Sequence, residues 1–243
     1  MALAAVTVLG VAGCTTPNPN EGQGGIFDPY ESGNRKTHEF NRDVDRALLR
    51  PLAKGYVAVV PDGIVISVGK FAENLGEPSN AVNHLLQGNV RGVGRNVTRF
   101  LINSTLGFAG LFDPASDFGL YPDKTDFGET LHVWGAAEGA YVELPVLGPS
   151  TERDAAGRVV DMFTNPLAYV LPTQEAAAAS TAKAAAKLGD RGRYSDLVDS
   201  VLYESADSYA QGRILYLQNR RHDLGMDTED TYIAPEDVNT QGF

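Results

Sequence analysis

The stretch Leu131-His132-Val133-Trp134-Gly135-Ala136-Ala137-Glu138-Gly139-Ala140-Tyr141-Val142-Glu143-Leu144-Pro145-Val146-Leu147-Gly148-Pro149-Ser150-Thr151-Glu152-Arg153-Asp154 decides how the chain is read. Gly135, Gly139 and Gly148 together with Pro145 and Pro149 rule out one continuous helix, because glycine is costly in a helix interior and proline clashes there. The residues between them are unusually apolar for a loop. A hairpin, or a looped pair of extended segments hinged at glycine and stiffened by proline, is the expectation. Two placements fit: a short β-hairpin packed on a core, or a hinged apolar gate or lipid-facing wall among amphipathic helices.

The rest of the chain reads as helices. Phe40, Val44, Ala47 and Leu48 recur at helical spacing in 34–50, and Pro51 is expected to end that helix. Asp62 opens a second helix with Ile64, Val65, Val68, Phe71, Ala72 and Leu75 apolar, and Gly76 closes it. A third helix opens at Ser79. In a fourth, 90–104, Val90, Val93, Val97, Phe100 and Leu101 lie on one side. Arg91, Arg95 and Arg99 form a basic stripe on another, most simply a solvated face, with acidic partners or phosphate headgroups as the alternative. The apolar, glycine-rich Leu106–Phe112 is too short to cross a bilayer. Residues 116–130 read as a polar connection, and 158–171 as a short apolar element. An Ala-rich helix is expected from Thr173 to Leu188 with Gly189 just beyond its end, then a long helix over 194–221.

With 43% hydrophobic and 21% charged residues, the 243-residue chain is globular in composition. A net charge of −11, from 20 Lys and Arg against 31 Asp and Glu, argues against nucleic acid and against electrostatic docking on anionic lipid. The single cysteine, Cys14, allows no intrachain disulfide. It follows the apolar run 2–12, and Val11-Ala12-Gly13-Cys14 resembles a bacterial lipobox, so residues 1–13 are expected to be a signal peptide and Cys14 a lipidated N-terminus. Residues 14–27 then form a flexible tether, and the acidic stretch 223–243 a disordered tail.

No catalytic constellation emerges, so the expectation is not an enzyme. His38-Glu39-Phe40-Asn41-Arg42 lacks the second histidine of a zinc protease motif, and Gly148-Pro149-Ser150-Thr151-Glu152 lacks the second glycine of a nucleophile elbow. The four histidines have no metal-ligand spacing, and neither metal nor cofactor is expected.

Several ordered phrases resemble one family: Asp28-Pro29-Tyr30-Glu31, Asn34-Arg35, Phe40-Asn41 and Arg50-Pro51; Asn74-Leu75-Gly76-Glu77-Pro78 and Val82-Asn83-His84-Leu85-Leu86-Gln87-Gly88; Thr98 to Gly107; Asp126-Phe127-Gly128-Glu129-Thr130-Leu131; and Gly139 to Pro145. The chain is similar to the MlaA/VacJ family of outer-membrane phospholipid-transport lipoproteins. The resemblance implies an all-α fold over 28–222: a ring of amphipathic helices lying in the periplasmic leaflet of the outer membrane around a central channel. It implies that mislocalised phospholipid descends from the outer leaflet through that channel to a periplasmic lipid carrier protein, beside a trimeric porin. By matched position, Gly135, Gly139, Tyr141, Val142, Leu144 and Pro145 would form the channel-side hairpin, and Phe40 and Asn41 would control the channel state. A scaffold lipoprotein that binds porins without moving lipid is the competing reading.

Overall fold

A computed structural model describes Thr15 and residues 26–226. The expected signal peptide, Cys14, tether residues 16–25 and the acidic tail beyond 226 lie outside the described residues, whereas Asp223, expected to begin a disordered tail, ends the last helix. The described residues are 71% helix and 4% strand. The helices are α1 (Glu31–Val44), α2 (Arg50–Val59), α3 (Asp62–Asn74), α4 (Glu77–Leu86), α5 (Val90–Thr105), α6 (Pro114–Asp117) and α7 (Phe127–Val133). After strands β1 (Tyr141–Leu144) and β2 (Gly148–Thr151) come α8 (Glu152–Thr164), α9 (Leu167–Val170), α10 (Thr173–Arg193), α11 (Ser195–Asp199) and α12 (Ser208–Asp223). The strands pair antiparallel with Tyr141 opposite Thr151 and Leu144 opposite Gly148, so the hairpin forms where the glycines and prolines put it.

Four sequence-based boundaries are corrected. Pro51 does not end the first helix: a π-turn over Asp45–Leu49 joins α1 to α2, and Arg50 N–H donates to the Asp45 carbonyl five residues back. The wider turn accommodates a proline that has no N–H to give. The third helix opens at Glu77 with Pro78 in its first turn, two residues before Ser79. The Ala-rich helix does not stop at Gly189 but runs on to Arg193. A Cβ on Gly189 would lie 2.8 Å from Val65 Cγ1, and one on Gly192 2.7 Å from the Ala53 carbonyl. These glycines are therefore where α10 crosses α3 and α2 closely. The expected long helix over 194–221 is broken: a second π-turn, Ser200–Glu204, leads to a bend, and Asp207 caps α12 by accepting from Ala210 N–H.

The polar connection at 116–130 also holds structure. Asp126 caps α7 by accepting from Glu129 N–H. Leu106–Phe112 is a tight turn with Phe108, Ala109 and Gly110 at positive φ and its large apolar side chains exposed.

The distribution of polarity is inverted. Among the described residues ten apolar side chains are buried, against nineteen polar or charged ones. The buried side of α1 and of the π-turn that follows it is Asn34, His38 and Asp45, whereas Phe40 and Leu48 from the apolar stripe are exposed. On α5 Asn96, Arg99 and Asn103 are buried while Val90, Val97 and Leu101 are exposed. This overturns the simpler reading of the basic stripe: only Arg91 is solvated. Arg99 is 2% exposed, with its Nε 2.7 Å from Glu77 Oε1, and Arg95 lies 3.0 Å from Asp123 Oδ2. Each such buried charge loses its hydration and is retained only because a counter-charge or hydrogen bond replaces it. Each large apolar side chain left outside forgoes about 1.5–3 kcal/mol of burial if water is its neighbour. No single helix among the described residues is long and apolar enough to cross a membrane.

Candidate functional site

Strand β1 has one edge on β2 and the other toward α1. Two asparagines two helical turns apart satisfy that second edge. Asn34 Nδ2 donates to the Tyr141 carbonyl at 3.0 Å, and its Oδ1 accepts from Glu143 N–H at 2.9 Å. Asn41 Nδ2 donates to the Leu144 carbonyl at 2.9 Å, and its Oδ1 accepts from Val146 N–H at 2.6 Å. A side-chain amide offers a donor and an acceptor in the spacing that a neighbouring strand would. The helix thus docks the hairpin through its polar face.

Under this seam lies Glu143, 6% exposed. It accepts from the Tyr141 hydroxyl and from Asn41 Nδ2 at 3.2 Å, and His38 Nδ1 stands 3.5 Å away. Burial, followed by the Glu143 carboxylate, pushes the Tyr141 hydroxyl well above the usual phenol range, so it stays protonated as the donor. His38 Nε2 meets Ser208 Oγ at 3.0 Å, and its ring stands edge-on to Tyr209.

Beside this polar cluster is a cavity of about 420 Å³. One wall is His38, Asn41, Arg42 and Glu143 with Gly148 and Pro149 of the hairpin; the other is Leu197, Val198, Val201, Leu202, Gly212 and Leu215. The volume falls in the range of roughly 300–1,000 Å³ typical of small-molecule sites. A mainly apolar wall facing a few fixed polar groups suits an amphiphile.

The walls are held together from behind by an ion-pair network. Arg191 at the end of α10 bonds both Asp45 oxygens at 2.8 Å and Asp199 Oδ1 at 2.7 Å. Asp199 also receives Arg50 at 2.7 Å and Lys54 at 3.0 Å, and the Tyr203 hydroxyl donates to Asp45. Burial raises the Asp199 and Asp45 carboxyls, but these partners outweigh it and hold both below the usual carboxylate range. Both π-turns sit in this network: cavity-lining Val201 belongs to the second, and cavity-lining Arg42 lies three residues before the first.

The residues expected to form the site are divided by the structure. Asn41 lines the cavity, but its neighbour Phe40 is 51% exposed on another face of α1. Tyr141 is in the core with Tyr209 and Leu217. Val142 and Leu144 are half-buried, and Pro145 is exposed in the hairpin turn. Gly135 and Gly139 take φ of +87° and +75°, values that suit glycine, on the way into β1. None of these last six lines the cavity. Gly148, Pro149 and Glu143 of the same hairpin do. His38, Arg42 and the wall from α11, the second π-turn and α12 escaped the sequence reading. Their signal was the polar run Asn34, His38, Asn41, Asp45 at helical spacing opposite the apolar stripe.

The comparisons with known proteins agree with one another. The model of the MlaA lipoprotein family matches residues 26–223. An uncharacterized protein of Rickettsia typhi is 45% identical over 145 residues, 59% of this chain and 58% of that protein. The alignment thus spans less than two thirds of that relative's length. The intermembrane phospholipid transport system lipoprotein MlaA of Escherichia coli is 33% identical over 92% of this chain and 86% of its own. A solved structure reported under the words "Structural basis for maintenance of bacterial outer membrane lipid asymmetry" superimposes with a TM-score of 0.66 at 31% identity, covering 81% of this chain and 98% of that one.

Proposed function

The chain belongs to the MlaA lipoprotein family, and from that membership we propose that it clears mislocalised phospholipids from the outer leaflet of the outer membrane, maintaining lipid asymmetry. In this reading residues 1–13 are removed, acyl chains on Cys14 anchor the protein to the periplasmic leaflet, 14–27 is a tether and 223–243 an acidic tail. The helical domain 28–222 lies in that leaflet as a ring around an amphipathic channel. It stands beside a trimeric porin and delivers phospholipid to a periplasmic carrier.

The observation that carries the proposal is the inverted polarity. An exterior with Leu52, Val59, Ile64, Leu101, Phe108 and Phe163 all more than half exposed, over an interior of paired charges, suits hydrocarbon around the helices. The cavity supplies the matching internal surface: apolar side chains for acyl tails and a polar wall for a headgroup. Moving an intact lipid needs no bond to be made or broken.

Mass spectrometry of lipids co-purifying with the mature protein from its own membranes, beside a Cys14→Ala control, tests this reading. Intact diacyl phospholipid at fixed stoichiometry is the expected result. Lysolipid with free fatty acid would point to hydrolysis instead, and no retained lipid to a porin scaffold; either overturns the transport reading.

A further inference from the structure

Arg42 is the only lysine or arginine among the described residues lining the cavity. Its Nε is buried with no hydrogen-bond partner. Of the nearby acids, Asp43 pairs with Arg46, Asp45 with Arg191 and Tyr203, and Glu143 with Tyr141, Asn41 and His38, while Glu39, one turn back on α1, is exposed and makes no ion pair with Arg42. Elsewhere in the interior Arg99, Arg153, Arg191, Arg213 and Arg220 each have a carboxylate. In a chain with more acids than bases, an unpaired half-buried guanidinium on a cavity wall is anomalous. Arg153, Arg191 and Arg213 each also leave one buried nitrogen without a partner, but their other nitrogens hold carboxylates. The Arg42 side chain has no partner among the described residues, and a buried polar group so left is destabilising unless something outside the chain completes it.

The missing partner must be an anion that arrives with apolar chains, because the opposite wall is Leu197, Val201, Leu202 and Leu215. A guanidinium offers a planar fork that fits phosphate oxygens in pairs. We propose that Arg42 is the headgroup site of this cavity, holding the phosphate of a phospholipid while an acyl chain lies on the leucine and valine wall. The assignment rests on the cavity being a lipid path. Glu143 does not compete, since its own donors hold both oxygens. Its charge on the same wall disfavours an anion seated away from Arg42.

The experiment is isothermal titration of the full-length lipidated protein in detergent micelles with three amphiphiles of equal chain length: dioctanoylphosphatidylglycerol, dioctanoylglycerol and octanoate. Arg42→Gln should weaken phosphatidylglycerol about tenfold or more and leave dioctanoylglycerol unchanged, with Arg42→Lys in between and all three proteins melting alike. Equal loss of both glycerolipids would make Arg42 a packing residue and overturn the proposal. So would phosphatidylglycerol binding indifferent to Arg42→Gln. Octanoate binding more tightly than phosphatidylglycerol would reassign the site to a fatty-acid carboxylate. A Leu215→Trp variant separates the two levels: if the wild type binds none of the amphiphiles, or filling the cavity changes nothing, the lipid path itself is refuted. If Leu215→Trp blocks binding and Arg42→Gln does not, only the headgroup site is.

Discussion

Asn41→Ala removes the amide that fastens the hairpin turn to α1. The side chain accepts from Val146 N–H at 2.6 Å and donates to the Leu144 carbonyl at 2.9 Å and to Glu143 Oε1 at 3.2 Å. Val146 is 64% exposed, so water can replace the lost bond to its N–H and only a net value is forfeited there. With about 0.5–1.5 kcal/mol for each neutral bond, local opening of the turn should become easier by about 1–2 kcal/mol. In hydrogen exchange that is a roughly 5- to 30-fold faster rate at the Val146 amide, with the core helices unaffected. Asn41→Asp sharpens the test. It keeps an acceptor for Val146 N–H but sets a second carboxylate against Glu143. The amide should therefore stay protected while cells depending on the variant become sensitive to detergent and chelator. An Asn41→Ala protein whose Val146 amide exchanges at the wild-type rate refutes the clasp.

Further outcomes follow from other contacts. Gly157→Ala would put a Cβ 2.3 Å from the Gly128 nitrogen, where only backbone can yield, and should lower stability by about 1–3 kcal/mol despite alanine's better helix propensity, read as a fall in melting temperature. Glu77→Leu removes the nearer of the two carboxylates of buried Arg99, leaving Asp113 at 3.3 Å, and should cost about 1–3 kcal/mol by denaturant titration, whereas the double variant Glu77→Leu/Arg99→Met should recover part of it. Acid should destabilise the fold below about pH 4: Asp45, Asp154 and Asp199 are held below their ordinary value, and Arg35 holds Asp207 at about 2. A depressed carboxyl contributes fully above its unfolded pKa of about 3.9 and loses that contribution as pH falls through its folded value. Melting temperatures at pH 5, 4, 3 and 2 should show the fall, and an Arg191→Met variant a shallower one. Gly139→Val forces a β-branched residue to φ near +75° and should cost about 1–3 kcal/mol of local strain and impair outer-membrane barrier function without unfolding the protein.

The elements were largely legible in the sequence, and the sidedness was not. Glycine and proline located the hairpin, and the stripes in 34–50 and 90–104 marked real helices. Periodicity establishes that a helix has an apolar face but not which medium covers it. Asn34, His38 and Asp45 turned inward and Phe40 outward because their partners, Glu143, Ser208 and Arg191, come from segments about 100 to 170 residues away. Gly189 looked like a stop because local sequence cannot register that Val65 presses against it. The cavity was hidden for the same reason: its apolar wall comes from 197–215 near one end of the described chain, and its polar wall from 38–42 near the other together with the hairpin at 143–149.

Those two ends are tied directly. Asp28 takes hydrogen bonds from Tyr209 and Arg213, Asp45 is held by Arg191, and Arg35 bonds Asp207. A chain closed in this way completes its interior only when α12 is present. Contacts between such distant segments form slowly, because a large loop must close before they reward it. Until α12 is made, Asp28 lacks its donors, so folding of the interior waits for the last helix. A chain truncated ahead of Ser208 should correspondingly fail to reach the native fold and be degraded.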